Sequence, residues 1–360
     1  MTILKEYHKI NMSNYDLIVK DLHEIVGEDI LKKIAAERTV KVYWGTAPTG
    51  RIHIGYYTPL LKIAELVQAG CEVTILIADL HAMLDNLKST EKQVHNRSDY
   101  YTRTIKNMLT QLNVDLDKVT FVRGSSFQFT PEYTMDMYRL NTVCSFHDAQ
   151  HAGAEVVKQT SNPIMTGLLY PSLQALDEEY LHVDAQLGGI DQRKIFMFAR
   201  EFLPKIGYRK RVHLLTPMVP GLRCCASTQD NEDKMSTSNT KTKLDMLDSR
   251  NEIKKKIAAA YCLPGDITDN SVLDILDRVL FPLLRHLSKD FIIFRREEHG
   301  GPIIFTNFDQ VREAFSTQQL HPADLKAGIV HNLDIFIEPV RKEFESREWR
   351  QVLKHAYART

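Results

Sequence analysis

The stretch YWGTAPTGRIHIGY, residues 43–56, decides the fold that this sequence predicts. A short β-type run, 40–42, precedes it, and residues 60–67 after it are apolar at helical spacing. A strand, a turn broken by glycine and proline, and a helix start are typical of the first βα unit of a parallel α/β sheet. The helix N-terminus presents free N–H groups that suit an anion, so His53 and Gly55 are candidates for contacting a phosphate. Many ordinary turns contain a His-x-Gly pair, so the rest of the chain has to supply the other parts of a nucleotide site.

Composition sets broad limits. The 360 residues are 43% hydrophobic and 26% charged, an ordinary profile for a soluble globular protein of two domains. Lys+Arg and Asp+Glu both number 46, so a polyanionic partner would have to bind a local basic patch. None of the five cysteines has CxxC spacing, which favours neither a zinc site nor a disulfide framework. The sequence shows no apolar run near 18 residues and no signal-peptide pattern, so we expect no membrane association and a cytoplasmic location.

The hydrophobic pattern predicts an α/β fold: helices alternate with parallel strands up to a boundary near residue 245, and a mainly helical part follows. Strands are predicted at 71–79, 119–122, 183–187 and 212–215, and helices at 15–36, 96–112, 131–143, 170–180 and 191–202. Beyond the boundary, helices are predicted at 252–261, 271–287, 309–315, 334–344 and 349–357, with a hairpin of strands 291–295 and 303–306. Residues 146–162 are expected to be an insertion rather than a core element, and Pro171 is placed in the first turn of its helix.

Two polar clusters suggest chemistry. Tyr170, Gln174 and Asp177 are spaced at i, i+4 and i+7, so they share one helical face that can hold an amino group and a hydroxyl. A solvent-exposed polar face is the alternative for these three residues alone. The run GGIDQ, residues 188–192, follows a strand, and its glycines allow close contact with a base or ribose. An ordinary βα turn, with Asp191 as the helix cap, is the alternative for this run.

A third motif, KMSTS at residues 234–238, lies in the polar loop 221–243. A lysine flanked by hydroxyl groups can clamp a phosphate, although loops rich in serine and threonine are common.

Together and in this order, the three motifs resemble the class I aminoacyl-tRNA synthetases. The chain resembles most closely the tyrosyl-tRNA synthetase family of the archaeal/eukaryotic type, from about residue 15 to residue 357. Further segments that carry this resemblance are ADLHA at 78–82, GAEVVKQ at 153–159, LLYP at 168–171, QALD at 174–177 and VHL at 212–214.

The resemblance implies an architecture and a reaction. It implies a Rossmann-like parallel-sheet catalytic domain, 1–245, with an insertion at about 131–160, and a mainly helical anticodon-binding domain, 246–360. Such enzymes join tyrosine to ATP as tyrosyl-adenylate and then esterify the terminal adenosine of tRNA-Tyr. ATP would arrive with Mg²⁺ as a substrate, without a metal site made by the protein. The family is homodimeric, and residues 131–159 would form the seam between the subunits.

The resemblance also assigns roles to residues. For tyrosine, Tyr43 and Asp177 would hold the phenol, Tyr170, Gln174 and Gln192 the ammonium group, and His81, Phe127 and Gln128 would line the pocket. The catalytic residues would be His53, Lys234, Ser236 and Ser238, and the ATP contacts Gly45, Thr46, Pro48, His53, Gly55, Gly188, Gly189, Asp191 and Met235. For tRNA, Arg193 would contact the first acceptor pair, Asp324 would read the first anticodon base, and His321 and His299 would stack on it.

Two positions depart from the family pattern. Tyr56 stands where the first motif commonly ends in a second histidine, and Thr237 stands where the loop commonly has a second lysine. The loss of that lysine leaves less positive charge for the leaving pyrophosphate. Residues 223–230 lengthen the loop in a way that no physical argument from the sequence explains.

Two other functions compete with this interpretation. A tryptophanyl-tRNA synthetase would use the same fold, but Tyr43 with Asp177 favours a phenol over an indole as the ligand. A catalytically silent RNA-binding protein would also use the scaffold, but retention of His53, Lys234 and the full pocket favours activity.

Overall fold

A sheet of six strands forms the centre of the N-terminal part of the chain. The structure is a computed structural model that describes residues 13–86, 89–156, 164–222, 235, 243–268 and 270–358. The strands are β1 (Glu24–Val26), β2 (Lys41–Thr46), β3 (Glu72–Ile77), β4 (Val119–Arg123), β5 (Ala185–Gly189) and β6 (Val212–Thr216). Their order in the sheet is β1-β6-β5-β2-β3-β4, and β1 pairs with β6 antiparallel while the other pairs are parallel. This confirms the predicted parallel α/β fold.

The site is positioned by the two central strands. β2 lies between β3 and β5, and Val42, Tyr43 and Trp44 are buried because both faces of the sheet are covered by helices. The chain passes from β2 outward to β3 and β4 on one side, then returns to β5 and β6 on the other. The order therefore reverses between β2 and β5, and ligands of open α/β sheets bind at the carboxyl ends of such strands.

Helices cover both faces of this sheet. They are α1 (Asn14–Val19), α2 (Glu28–Glu37), α3 (Tyr57–Gln68), α4 (Asp79–Asn86), α5 (Glu91–Gln111), α6 (Pro131–Val143), α7 (Phe146–Gly153), α8 (Met165–Tyr180) and α9 (Arg193–Phe202). Single 3₁₀ turns lie at Ile54–Tyr56, Gly124–Ser126 and Ile190–Gln192. These three turns follow β2, β4 and β5 in the chain, so they lie at the carboxyl edge of the sheet.

The rest of the chain is mainly helical, as predicted. Its helices are α10 (Arg250–Ala259), α11 (Ser271–Ile275), α12 (Phe281–His286), α13 (Phe308–Ser316), α14 (Pro322–Glu343) and α15 (Arg347–Ala356), and a π-type turn, Leu276–Leu280, joins α11 to α12. The predicted hairpin is present as β7 (Phe291–Ile293) and β8 (Ile303–Phe305). It packs directly on α14, where a Cβ atom at Gly328 would lie 2.7 Å from Ile293 Cγ1.

One buried carboxylate fixes the start of the central strands. Asp184 precedes β5 and is 2% exposed. It accepts two hydrogen bonds from Arg38 at 2.6 and 2.7 Å, one from the Lys41 N–H at 3.0 Å and one from Arg209 at 3.0 Å. These donors outweigh burial and lower the pKa of the carboxyl, so Asp184 joins the end of α2 to β2 and β5 as an anion.

The predicted helix over residues 15–36 is wrong. The chain turns at Asp21 and at Gly27, which have φ angles of 53° and 88°, and residues 24–26 add an antiparallel edge strand to β6. Helical spacing of apolar residues across the segment concealed the strand, because β1 is only three residues long. The partner that stabilises it, β6, lies about 190 residues further along the chain.

Two expectations around residue 160 also need correction. Residues 146–153 form a helix, α7, whose Ala149, Ala152 and Gly153 are buried, so this part of the expected insertion belongs to the core. Pro171 lies inside α8, which begins at Met165, rather than in its first turn. Among the described residues, no helix is both long and apolar enough to span a membrane.

Candidate active site

The crevice at the carboxyl ends of β2 and β5 has a buried polar floor. Tyr43 projects from β2, is 1% exposed, and donates a hydrogen bond from its hydroxyl to the carbonyl of Gln174 at 3.3 Å. α8 passes over this floor and carries Tyr170, Gln174 and Asp177, all of them buried. The structure therefore places these three side chains inside the protein, and the alternative of a solvent-exposed polar face is wrong.

Asp177 is the centre of the floor. Its Oδ1 accepts hydrogen bonds from Gln128 Nε2 at 2.8 Å and from the Tyr133 hydroxyl at 3.0 Å. Its Oδ2 lies 3.7 Å from His81 Nε2, and within the described residues neither atom has a hydrogen-bond partner. A carboxylate oxygen and a ring nitrogen therefore share one small buried space, which suits a hydroxyl group that can donate and accept.

Burial controls the charge of both groups. It raises the pKa of Asp177 from 3.8 to about 7, although Gln128 and Tyr133 oppose the shift, and Glu178 and Asp79 add to it. Burial lowers the pKa of His81 from 6.5 to about 4, so its imidazole is neutral near pH 7. The rings of His81 and Tyr170 pack nearly perpendicular to each other at 4.8 Å between centroids, which holds the imidazole in place.

Beside the floor, amide groups form a chain toward the crevice. Gln174 Nε2 donates to Gln192 Oε1 at 3.2 Å, and Gln192 Nε2 donates to Asp191 Oδ2 at 3.0 Å. Tyr170 lies on the same side of α8 as Gln174. The predicted ammonium-binding residues Tyr170, Gln174 and Gln192 are therefore brought together, next to the predicted phenol-binding pair of Tyr43 and Asp177.

The predicted phosphate-binding turn, which contains His53 and Gly55, follows β2 in the chain. The Gly55 N–H donates to His53 Nδ1 at 3.2 Å, so the histidine caps the 3₁₀ turn that leads into α3. A Cβ atom at Gly55 would lie 2.9 Å from the His53 ring, which explains the glycine. Gly45, Thr46 and Pro48 precede this turn at the end of β2. Thr46 forms a 3.1 Å hydrogen bond with Tyr56, so the tyrosine that replaces the family's second histidine supports β2.

The Gly188–Gly189 end of β5 is tightly packed. A Cβ atom at Gly188 would lie 2.6 Å from Phe196 Cζ, and one at Gly189 would collide with Asp191 Oδ1. The backbone can approach a ligand here only because both residues lack side chains. Asp191 lies in the 3₁₀ turn before α9, and the residue at the N-cap position of α9 is Gln192 rather than Asp191.

The second class motif is mostly outside the described residues. Lys234, Ser236, Thr237 and Ser238 lie there, as do residues 223–230. Met235 is described: it is 1% exposed in the hydrophobic core, and its N–H donates to the Val219 carbonyl at 3.0 Å. Its contact with ATP stays a prediction.

The predicted tRNA residues lie at two separate places. Arg193 starts α9 and makes a bidentate contact with Glu24 at 2.8 and 3.0 Å. At the other end of the molecule, His321 caps α14 by accepting from the Ala323 N–H at 3.1 Å, and Asp324 Oδ2 lies 3.7 Å from Arg295 Nη1. His299 is exposed in the 3₁₀ turn Glu297–His299 of the hairpin loop.

Sequence reasoning missed Tyr133. Its hydroxyl donates to Asp177 and lies 2.9 Å from the Leu173 carbonyl, so it fixes two successive turns of α8. The available signal was its position at the start of a helix with Thr130 as the cap, only five residues after Gln128.

Metal ligands are a separate matter: the described residues contain no group of three or more His, Cys, Asp or Glu side chains that could hold an ion.

Comparison with known proteins gives consistent matches. Residues 35–338 match the family model described as tRNA synthetases class I (W and Y). The chain is 49% identical over 343 residues to "Tyrosine--tRNA ligase, cytoplasmic" of Danio rerio, and it spans 63% of that relative's length. It is 45% identical to the protein of the same name from Saccharomyces cerevisiae, covering 95% of this chain and 87% of the relative.

Solved structures agree with this. The tyrosyl-tRNA synthetase of Archaeoglobus fulgidus, solved with L-tyrosine, is 32% identical with a TM-score of 0.79, and the match covers 91% of this chain and 98% of that one. The tyrosyl-tRNA synthetase of Pyrococcus horikoshii has a TM-score of 0.85 at 23% identity, which shows a shared fold.

The opposite pKa shifts of two buried aspartates give a test of this site. The folded chain holds the Asp177 proton up to about pH 7, whereas the unfolded chain releases it near pH 3.8, so the unfolding free energy falls between these values. Asp177→Asn should therefore stabilise the protein by about 1–3 kcal/mol at pH 8. This gain should disappear below about pH 4.

Asp184→Asn is the matched control, because the pKa of Asp184 is lowered. It should destabilise the protein by about 2–4 kcal/mol at pH 8, a loss that shrinks in acid as the native carboxyl becomes protonated. Urea unfolding of wild type and both variants from pH 4 to pH 8 measures these changes. A loss of stability at pH 8 in both variants would show that Asp177 is an ordinary structural carboxylate.

Proposed function

The chain belongs to the class I tRNA synthetases of the W and Y family, and from this premise we propose that it is a tyrosine–tRNA ligase. The family membership confirms the resemblance found in the sequence. The proposed enzyme joins L-tyrosine to ATP as tyrosyl-adenylate, with release of pyrophosphate, and then transfers tyrosine to the 3′-terminal adenosine of tRNA-Tyr. Relatives with this name are called cytoplasmic, and we propose the same compartment. The activity is a proposal because the chain spans about 63% of the length of its first vertebrate relatives.

The polar floor of the crevice is the observation that carries this proposal. A tyrosine phenol placed between Tyr43 and Asp177 could donate to Asp177 Oδ2, and His81 Nε2 lies 3.7 Å from the same oxygen. The ligand would satisfy buried polar atoms that otherwise remain without partners. An indole has one N–H donor and no oxygen, so tryptophan would fill this space less well.

The chemistry would depend on position and charge rather than on a protein nucleophile. Gln174 and Gln192 would hold the ammonium group, which directs the tyrosine carboxylate toward the rim of the crevice. ATP would lie over the glycines at 55 and 188–189, with its phosphates at the N-terminus of α3 near His53. Lys234, Ser236 and Ser238 would bind the leaving pyrophosphate, and Mg²⁺ would travel with the phosphates of ATP.

For tRNA, we propose a catalytic domain up to about Asp245 and an anticodon-binding domain after it. Asp324 would accept hydrogen bonds from the Watson–Crick edge of the first anticodon base, with His321 and His299 available for stacking. Arg295 Nη1 lies 3.7 Å from Asp324 Oδ2 and orients the carboxylate in the first turn of α14. Arg193 would have to leave Glu24 to contact the acceptor end.

A homodimer is proposed from an exposed apolar surface, here called the α6–α8 surface. It consists of Phe129, Met135, Tyr138, Phe146 and Met165, each more than half exposed. Monomers rarely expose a cluster of this kind, and Met135, Tyr138 and Phe146 fall within residues 131–159, where the family's subunit seam is expected. A second copy of the chain would cover it.

Amino-acid choice tests the ligase proposal. ATP–pyrophosphate exchange should require tyrosine, and phenylalanine should be rejected by a factor on the order of 10⁵, the magnitude known for tyrosyl-tRNA synthetases. Asp177→Ala should lose most of the activity and much of this discrimination, whereas Tyr43→Phe should be milder because Asp177 still meets the hydroxyl. The measurement is kcat/KM for both amino acids. Exchange with tryptophan would favour a tryptophanyl-tRNA synthetase, and no exchange would favour a silent RNA-binding protein. An unchanged ratio of kcat/KM for tyrosine and phenylalanine in Asp177→Ala would show that this carboxylate does not contact the phenol.

The anticodon proposal predicts a change confined to tRNA. Asp324→Ala should weaken kcat/KM for aminoacylation of tRNA-Tyr by about 1–3 kcal/mol, the usual cost of one lost base contact. Tyrosine-dependent exchange should stay normal, because Asp324 is far from the crevice in the fold. Glu313→Ala on the exposed part of α13 is the matched control. An equal fall in exchange activity would mean that Asp324 is structural.

The dimer proposal predicts a change in mass. Tyr138→Glu should raise the dissociation constant of the dimer by about tenfold or more, since a charge would be buried at the seam. Ile304→Glu, an equally exposed apolar position on β8, is the control and should not change it. Sedimentation equilibrium measures both, and a wild-type monomer at micromolar concentration would contradict the proposal.

A further inference from the structure

Three polar side chains lie in one row across the sheet, behind the proposed phenol site. Tyr43 on β2 pairs in register with Gln186 on β5, and Gln186 pairs with His213 on β6. Side chains at one level of parallel strands in register point to the same face, and all three are buried. The proposed reaction uses Tyr43 and gives no role to Gln186 or His213.

His213 contacts the residue that follows Asp177 on α8. Glu178 Oε1 lies 2.7 Å from His213 Nε2, and the two side chains are 1% and 0% exposed. The imidazole also stacks on Phe196, at 4.5 Å between ring centroids and an interplanar angle of 25°. The pair therefore ties α8 to β6.

The contacts of Phe196 connect this pair to the Gly188–Gly189 end of β5. Phe196 presses on Gly188, where a Cβ atom would lie 2.6 Å from its Cζ, and the Thr216 hydroxyl donates to the Gly188 carbonyl at 3.3 Å. One side of the Glu178–His213 pair thus supports the helix that carries Asp177. The other side supports the glycines that the proposed ATP site needs.

The charge of the pair matters because two carboxyl groups are adjacent. Glu178 and Asp177 are consecutive and both buried, and like charges in such a place disfavour each other. A proton shared between Glu178 and His213 makes that pair neutral as a whole. We propose that the Glu178–His213 pair is a positioning element that neutralises Glu178, so that the Asp177 carboxylate can form in the phenol site. The inference rests on the proposed ligase function.

Other ionisable groups surround the two carboxyls on every packed element. They are Tyr43 on β2, Asp79 and His81 on α4, Tyr133 on α6, Tyr170 on α8, and Arg211 directly before β6, which pairs with Glu179. Burial is the main cause of the raised pKa of Asp177, and the charge of Glu178 adds to it. Burial leaves His81 neutral near pH 7, and His213 is the basic side chain whose ring nitrogen contacts Glu178.

The experiment compares His213→Gln, Glu178→Gln and the double variant with wild type. The readout is the pH dependence of kcat/KM for tyrosine in ATP–pyrophosphate exchange, which reports groups of the free enzyme. His213→Gln leaves Glu178 as a second unbalanced carboxyl, so the acid limb should move up by about half a pH unit or more. Glu178→Gln should move it down, and the double variant should return it toward wild type.

Phe196→Leu is the structural control, because it removes the stacked ring and no charge. It should change the height of the pH profile but leave the acid limb in place. Equal shifts of the limb in His213→Gln and Glu178→Gln, or no shift in either, would overturn the inference.

A second measurement does not need activity. Unfolding free energy should fall with rising pH in His213→Gln relative to wild type, because a lone buried carboxyl must ionise, and Glu178→Gln should lack this trend. If wild type shows no tyrosine-dependent exchange, the proposed function fails, and these unfolding curves still test the pair. Parallel curves for the two variants would show that His213 does not balance the charge of Glu178.

Discussion

The structure around the crevice depends on burying the Asp177 carboxyl with only half of its acceptor capacity satisfied. A buried carboxyl is tolerated where fixed donors surround it, and here the donors are Gln128 and Tyr133. Gln128 is held in turn by a tight loop: its backbone N–H donates to the Gly124 carbonyl at 2.9 Å, and Asp79 accepts from the Ser125 N–H at 2.8 Å. The end of β4, the start of α4 and the start of α6 are therefore arranged around one oxygen atom.

Two buried aspartates, Asp177 on α8 and Asp184 directly before β5, show how differently one residue type can be used. Asp184 is surrounded by guanidinium and N–H donors, so its charge stabilises the fold. Asp177 has neutral donors only, and burial leaves it partly protonated at neutral pH. The buried Asp177 carboxyl lowers the stability of the ligand-free protein, and its Oδ2 has no hydrogen-bond partner among the described residues. Such a group is typical of a binding site, where a ligand supplies the missing hydrogen bond. β5 therefore starts at a structural carboxylate, Asp184, and ends at the candidate site, at Gly188 and Gly189.

Sequence patterns predicted the parts of this protein whose causes are local. The βα turn at 43–56, the face formed by Tyr170, Gln174 and Asp177, and the hairpin at 291–306 follow from periodicity and turn chemistry over a few residues. The strand β1 could not be found in this way, because the strand that stabilises it, β6, lies far away in the chain. The helix α7 did carry a local signal, the capping box formed by Ser145 and Asp148. Tyr133 was missed for a related reason: its partner, Asp177, is 44 residues away, and the Thr130 cap predicts the start of the helix but not this contact.

The motif turn at 43–56 is also fixed from outside the sheet. The Gly50 carbonyl accepts hydrogen bonds from Tyr101 on α5 at 2.7 Å and from Tyr357, directly after α15, at 2.9 Å. The backbone of Ile52 and Ile54 pairs with residues 244 and 246, at the point where the mainly helical part begins. A glycine-rich turn has little intrinsic preference for one conformation, so these contacts are what hold His53 at the N-terminus of α3. Tyr357 and residues 244 and 246 thus help to hold the turn that contains His53, so the mainly helical part of the chain contributes to the geometry of the crevice.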